Sequence, residues 1–258
     1  MIKGLSESVF KDAPDQAFRV RVVSEYARIH NWLGREMDLN SARILDFGCG
    51  QGFAAASFAL RHPGAEVVGF DVSSVDESYL AHMLESQLGV QKPLNLRFVS
   101  GIDGSLQDLP KFDLVYSWSV FEHIREDQVN EAFSRLREQL DEHGKFFLQI
   151  DPLYFSPKGS HLYKYFSLPW HHLMLSLDQL HEVVFQLDAD QSRQQREWQQ
   201  FVELNRLTAT DFLGRAKFSG FNLKRNVLRK TELEPPKRLL RCYAEDALLT
   251  EELVALFE

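Results

Sequence analysis

The chain has 258 residues, 44% of them hydrophobic and 26% charged, which is length enough to bury a substantial core and excludes a disordered chain. A formal net charge of -8 sets the molecule against phosphate backbones, so a general nucleic-acid coat is disfavoured. Two cysteines, Cys49 and Cys242, are too few for a disulfide framework or a cysteine-rich zinc site, and no run approaches the about 20 apolar residues that span a bilayer. The expectation is a soluble cytoplasmic protein without membrane contact.

Taken in chain order, Phe18, Val22, Tyr26, Ile29 and Leu33 recur at helical spacing and predict an amphipathic helix over 15–36, within an N-terminal helical segment 1–40. A buried-strand run at 44–47 enters a glycine turn, an alanine-rich helix and a second strand at 66–70, a βαβ unit. A helix over 75–88 and strands at 94–99 and 112–118 continue the alternation. A helix over 127–140 then passes through His143-Gly144 as its stop to a strand at 145–150. Strands regularly separated by helices predict a parallel, doubly wound sheet.

From about 151 to 204 the pattern breaks, because Pro152, Pro157, Gly159 and Pro169 punctuate an aromatic, histidine-rich stretch that leads into a glutamine-rich helix. This segment reads as an insertion after the fifth strand. The alternation resumes with a helix over 208–218, a strand at 222–228 and a last strand around 239–244.

The turn Asp46-Phe47-Gly48-Cys49-Gly50-Gln51-Gly52 lies at the carboxyl end of the first strand and opens a helix. Glycines there let backbone approach a ligand, and N–H groups at the helix start meet acceptor atoms. About 20 residues on, the second strand ends at Gly69-Phe70-Asp71, where a doubly wound fold holds ribose hydroxyls. The glycines read GxGxG rather than the dinucleotide GxGxxG, which counts against a nicotinamide oxidoreductase.

This motif set resembles the class I S-adenosylmethionine-dependent methyltransferases, clearly over 42–150 and more loosely to Cys242. The resemblance implies an α/β, Rossmann-like, doubly wound and mostly parallel seven-stranded sheet with helices on both faces, as a single domain 1–258. It implies S-adenosyl-L-methionine as cofactor, lined by Asp46, Gly48, Cys49, Gly50, Gly52, Phe53, Asp71, Val72, Ile102, Asp103, Ser117 and Trp118, with Asp71 on the ribose. Gly104-Ser105 competes with Asp103 for the adenine position.

Methyl transfer is an in-line displacement, so the protein chiefly aligns a nucleophile and strips its water, with a base helping when the nucleophile is a hydroxyl. His123, in Ser119-Val120-Phe121-Glu122-His123-Ile124 after the fourth strand, is the candidate base, or alternatively a brace for its loop. His161 and His171 are the candidate helpers from the insertion, which reads as a substrate lid. Its aromatics, among them Tyr154, Phe155, Tyr165 and Trp170, enclose an acceptor or form the insertion's own small core.

His161, His171, His172 and His181 do not sit at a convincing metal-ligand spacing, and no carboxylate lies in an obvious register with them, so no metal is assigned, with a divalent ion assisting a catechol or sugar hydroxyl as the alternative. The polar helix carrying Trp198 and Phe201 is a lid helix or the contact of a homo-oligomer. Arginines and lysines between 215 and 241 fit a solvated strand edge or a phosphate-bearing substrate. Asp151-Pro152-Leu153-Tyr154 follows the wrong strand to be the tetrad of enzymes that methylate planar amino groups.

The expected activity is methyl transfer to a small-molecule acceptor, at a hydroxyl oxygen of a sugar, nucleotide-linked or natural-product-like compound. The alternatives are an RNA or protein methyltransferase and a catalytically silent cofactor-binding partner protein.

Overall fold

A computed structural model describes residues 4–34, 37–101, 105–186 and 190–258. Short helices α1 (Glu7–Lys11) and α2 (Gln16–Arg19) lead through a π-helical stretch, Val20–Glu25, into α3 (Tyr26–Leu33). The helix expected over 15–36 is thus broken by wider turns, and its last two residues lie outside the described ones. Phe18, Val22, Ile29 and Leu33 are buried as their spacing requires.

Strand β1 (Arg43–Phe47), helix α4 (Phe53–Arg61), strand β2 (Glu66–Asp71), helix α5 (Glu77–Leu88), strand β3 (Leu96–Ser100) and strand β4 (Phe112–Trp118) follow within one or two residues of expectation. Asp76 caps α5 by accepting the Tyr79 N–H, and Gly89 closes it in the left-handed region. Helix α6 (Val129–Gln139) ends earlier than His143-Gly144, because strand β5 (Leu140–Ile150) already starts there. Gly144 therefore sits inside a strand, where a Cβ would lie 2.8 Å from Leu140 Cγ and 2.9 Å from the Phe112 carbonyl oxygen.

The stretch from 151 to 204 carries α7 (His171–Met174), α8 (Leu177–Gln186) and α9 (Gln191–Glu203). Tyr154, Leu162, Leu180, Val184, Phe201 and Leu204 form a buried cluster there, with Phe155, Tyr165, Phe166 and Trp198 packed on it. Most of the aromatics of this stretch thus serve a core of its own.

Helix α10 (Ala209–Phe218) opens with a capping box between Thr208 and Asp211. Strand β6 (Leu223–Lys230), helix α11 (Glu245–Leu249) and strand β7 (Thr250–Phe257) complete the chain. The last strand is displaced from its expected place at 239–244, where Leu239–Arg241 forms only a 3-10 turn. Leu239 N–H bonds back to the Pro236 carbonyl at 2.8 Å, and the strand forms instead from the buried run Leu253–Phe257.

The strands make one mostly parallel, Rossmann-like seven-stranded sheet in the order β3-β2-β1-β4-β5-β7-β6. Strands β1, β2, β3 and β4 pair in parallel, with Asp46 beside Gly69 on one side and Tyr116 on the other. The winding reverses between β1 and β4, and crevices outside the carboxyl ends at such a reversal are where doubly wound folds bind ligands. Strand β6 is the exposed edge, so the basic residues Lys224, Arg225, Arg229 and Lys230 guard it.

Two compact units make up the chain, one of Met1–Trp118, Arg135–Phe147 and Leu256–Glu258, the other of Ser119–Ser134 and Leu148–Ala255. In the first, Phe58 stacks on Tyr116 at 4.9 Å and meets Tyr26 edge-on at 5.0 Å. Each such fully buried ring contributes about 1.5–3 kcal/mol. In the second, Phe121 packs on Phe133 with ring centroids 4.5 Å apart. No helix among the described residues is long and apolar enough to cross a membrane.

Candidate active site

Strand β1 delivers the chain into the turn Gly48–Gly52, where Gly48, Gly50 and Gly52 take φ of 82°, 52° and 77°. Side chains rarely tolerate that region, which accounts for glycine at all three positions. At Gly52, which begins α4, a Cβ would lie 2.5 Å from the Phe98 ring, whereas at Gly50 it would meet open space. The turn is tied to β2: Gly48 and Cys49 both donate to the Phe70 carbonyl, at 2.7 and 3.0 Å.

Asp71 completes the brace. One carboxylate oxygen accepts the Gly50 N–H at 2.9 Å and the other accepts the Ser73 N–H at 3.1 Å. A carboxylate offers roughly four lone-pair directions, so about two remain for a ligand. Beside it Val72 is 75% exposed, a large apolar side chain left in solvent at a strand's carboxyl end.

The remaining expected cofactor residues divide sharply. Asp46 is buried with one oxygen unpartnered, and burial pushes its carboxyl up to about 8, partly opposed by the Tyr116 phenol close by and reinforced by Glu25. Burial also pushes the Cys49 thiol far up, so it is no nucleophile. Phe53 is turned inward against Phe18, at 5.0 Å, and is a packing residue rather than part of a ligand surface. Ser117 is buried with its hydroxyl unpartnered, and Trp118 stacks on Phe147 at 6.2 Å. Ile102 and Asp103 lie outside the described residues.

A match to a methyltransferase-domain family model covers residues 45–146, spanning this turn, the Asp71 brace and the end of β4. Over these residues the chain is similar to methyltransferases. The chain is 28% identical over 109 residues to a ubiquinone biosynthesis O-methyltransferase of Pseudomonas savastanoi, an alignment covering 39% of this chain and 44% of that one. It is 34% identical over 110 residues to a trans-aconitate 2-methyltransferase of Deinococcus radiodurans, covering 42% and 38%. The alignments thus span under half the length of these curated relatives.

Among solved structures, the PH0226 protein of Pyrococcus horikoshii matches with a TM-score of 0.55 at 18% identity over 99% of both chains. Magnesium protoporphyrin IX methyltransferase of Synechocystis, solved with bound SAH, gives 0.51 at 17% identity, over 100% of this chain and 90% of that one. At such identities the likeness is one of fold.

The expected catalytic histidines separate in the second unit. Ser119 begins the segment with φ 51° and hangs on a polar chain: its N–H and hydroxyl donate to Gln149, whose amide donates to Glu252, which also meets Arg229. Asn205 then pins the 3-10 turn Phe121–His123, its amide donating to the Phe121 and Ile124 carbonyls at 2.6 and 2.8 Å. His123 ends that turn exposed, with its ring 4.9 Å from that of His161 and nearly perpendicular.

His171 does not join them. Its ring is 1% exposed, bonded to Ser160 at 2.7 Å and to the Leu168 carbonyl at 2.9 Å, and stacked on Phe166 at 4.1 Å. Both nitrogens are occupied, so the expectation of a catalytic His171 gives way to a structural one. His172 bonds the Tyr154 carbonyl and His181 stacks on Phe185, so the four insertion histidines do not converge. The residue that sequence reasoning passed over is Glu122, buried to 3% beside His123 with both carboxylate oxygens unpartnered. Its signal was the adjacent Glu-His pair.

Proposed function

We propose that this protein transfers a methyl group from S-adenosyl-L-methionine to a hydroxyl oxygen of a small-molecule acceptor, such as a sugar, a nucleotide-linked compound or a natural product. The observation that carries the reading is the glycine turn braced to Asp71, with open space above Gly50 and the exposed Val72 alongside. Those features fit the cofactor: Asp71 keeps acceptor capacity for ribose hydroxyls, Gly50 lets backbone come close, and Val72 offers an apolar face to an aromatic ring. S-adenosylmethionine supplies an electrophilic methyl carbon when bound.

On the acceptor side, His123 and His161 are the groups we assign to the hydroxyl and its proton. Oxygen as the target is supported by relatives named O-methyltransferases. A net charge of -8 favours a small acceptor over RNA, and a cytoplasmic location belongs to the same reading.

The test is calorimetric titration of S-adenosylmethionine, its demethylated product and NAD into the protein and Asp71→Ala. This is followed by a screen of phenols, sugars and carboxylic acids with radiolabelled methyl donor. Saturable binding that weakens at least tenfold in the variant, with label transferred to an oxygen, is expected. Absence of binding, or binding of NAD instead, would overturn the proposal.

A further inference from the structure

The second unit gathers Glu122, His123 and His161 so that one ligand atom from each lies within 4.8 Å of the other two, the only such cluster among the described residues. The surroundings of these atoms are unusual. Both Glu122 oxygens and His161 Nε2 are buried without a hydrogen-bond partner, although unpaired buried groups of this kind cost about 1–3 kcal/mol each, more when charged. His161 also holds φ at 59°, uncommon for a residue other than glycine.

We propose that Glu122, His123 and His161 bind a divalent transition cation of the zinc class. Two imidazole nitrogens and one carboxylate oxygen are a donor set suited to zinc, and poorly suited to magnesium, which takes oxygen ligands. Tetrahedral zinc needs ligand atoms about 3.3 Å apart, so closure by at most about 1.5 Å completes the site. Nε2 is the His161 nitrogen left buried without a partner, which makes it the ligand atom. His123 is the exposed member, so the fourth position opens toward solvent on its side.

The cation compensates groups that the apoprotein leaves unsatisfied. A hydroxyl compound that took the open position would lose its proton to solvent more readily. Binding itself stands apart from the proposed function, and its test uses neither cofactor nor acceptor.

Tag-free, chelator-treated protein of all 258 residues is titrated with zinc and, separately, magnesium, and cobalt is added for its visible spectrum. The expected results are one zinc per chain, no saturable magnesium binding, and intense cobalt bands of a four-coordinate site. Glu122→Gln, His123→Ala and His161→Ala each weaken zinc at least tenfold, while the exposed control His143→Ala does not. Glu122→Gln further raises the melting temperature of metal-free protein while lowering zinc affinity, opposite signs that a purely structural glutamate would not give. Absence of zinc binding, affinity unchanged in all three variants, or preference for magnesium would overturn the proposal.

Discussion

Gly50 and Gly52 sit two residues apart in the same turn, both with positive φ, yet alanine should damage them differently. The left-handed backbone alone costs a non-glycine residue about 1–2 kcal/mol, a penalty common to both substitutions. At Gly52 the new Cβ also lies 2.5 and 2.7 Å from the Phe98 ring, which must move. Such overpacking adds about 1–3 kcal/mol, so Gly52→Ala should destabilise by about 2–5 kcal/mol and Gly50→Ala by about 1–2. At Gly50 nothing lies within 4 Å of the added methyl, and the space is where the cofactor is proposed to lie. Its substitution should weaken S-adenosylmethionine by tenfold or more, about 1.4 kcal/mol, without a matching loss of fold. Urea denaturation measures the first quantity and calorimetric titration the second. Equal destabilisation of the two variants would refute the Phe98 argument, and wild-type affinity in Gly50→Ala would refute the placement of the ligand.

Two further outcomes follow from buried groups. Burial raises Asp46 to about 8 and Glu25 to about 7, so the folded state holds protons that the unfolded chain has released. The resulting penalty is absent below about pH 4 and complete above about pH 8, so stability should fall across that window, and Asp46→Asn should raise the urea midpoint more at pH 8.5 than at pH 5. A midpoint difference independent of pH would refute the shift. His171→Ala removes a fully buried ring bonded to Ser160 and the Leu168 carbonyl, and should cost about 2–4 kcal/mol while leaving zinc binding intact. A loss below about 0.5 kcal/mol in urea denaturation would contradict the structural role.

Strands β1 to β4 and the Asp71 brace were legible because each is local. Ile44, Leu45, Val67 and Val68 form continuous apolar runs, and a parallel strand buried on both faces requires nothing more distant to declare itself. The glycine turn was legible for the same reason, since three positive φ angles within five residues leave almost no other residue type. The break in the first long helix and the displaced last strand were not, because wide helical turns carry no residue signature and two segments competed for the seventh place in the sheet. Leu253–Phe257 won it by burying an unbroken apolar run, where 239–244 is interrupted by charge.

Sequence alone determined the winding of the sheet, the glycine turn and the acid at the end of β2, all fixed by residues near one another in the chain. Only the tertiary structure decided among the histidines. His161 is 38 positions from His123, and nothing in local spacing distinguishes it from His171, ten residues further on. Packing does so: Ser160 and Leu168 occupy both nitrogens of one ring, while the other keeps a buried nitrogen unpartnered beside Glu122 and His123. Which polar atom is left without a partner depends on every neighbour that surrounds it, and those neighbours meet only when the chain has folded.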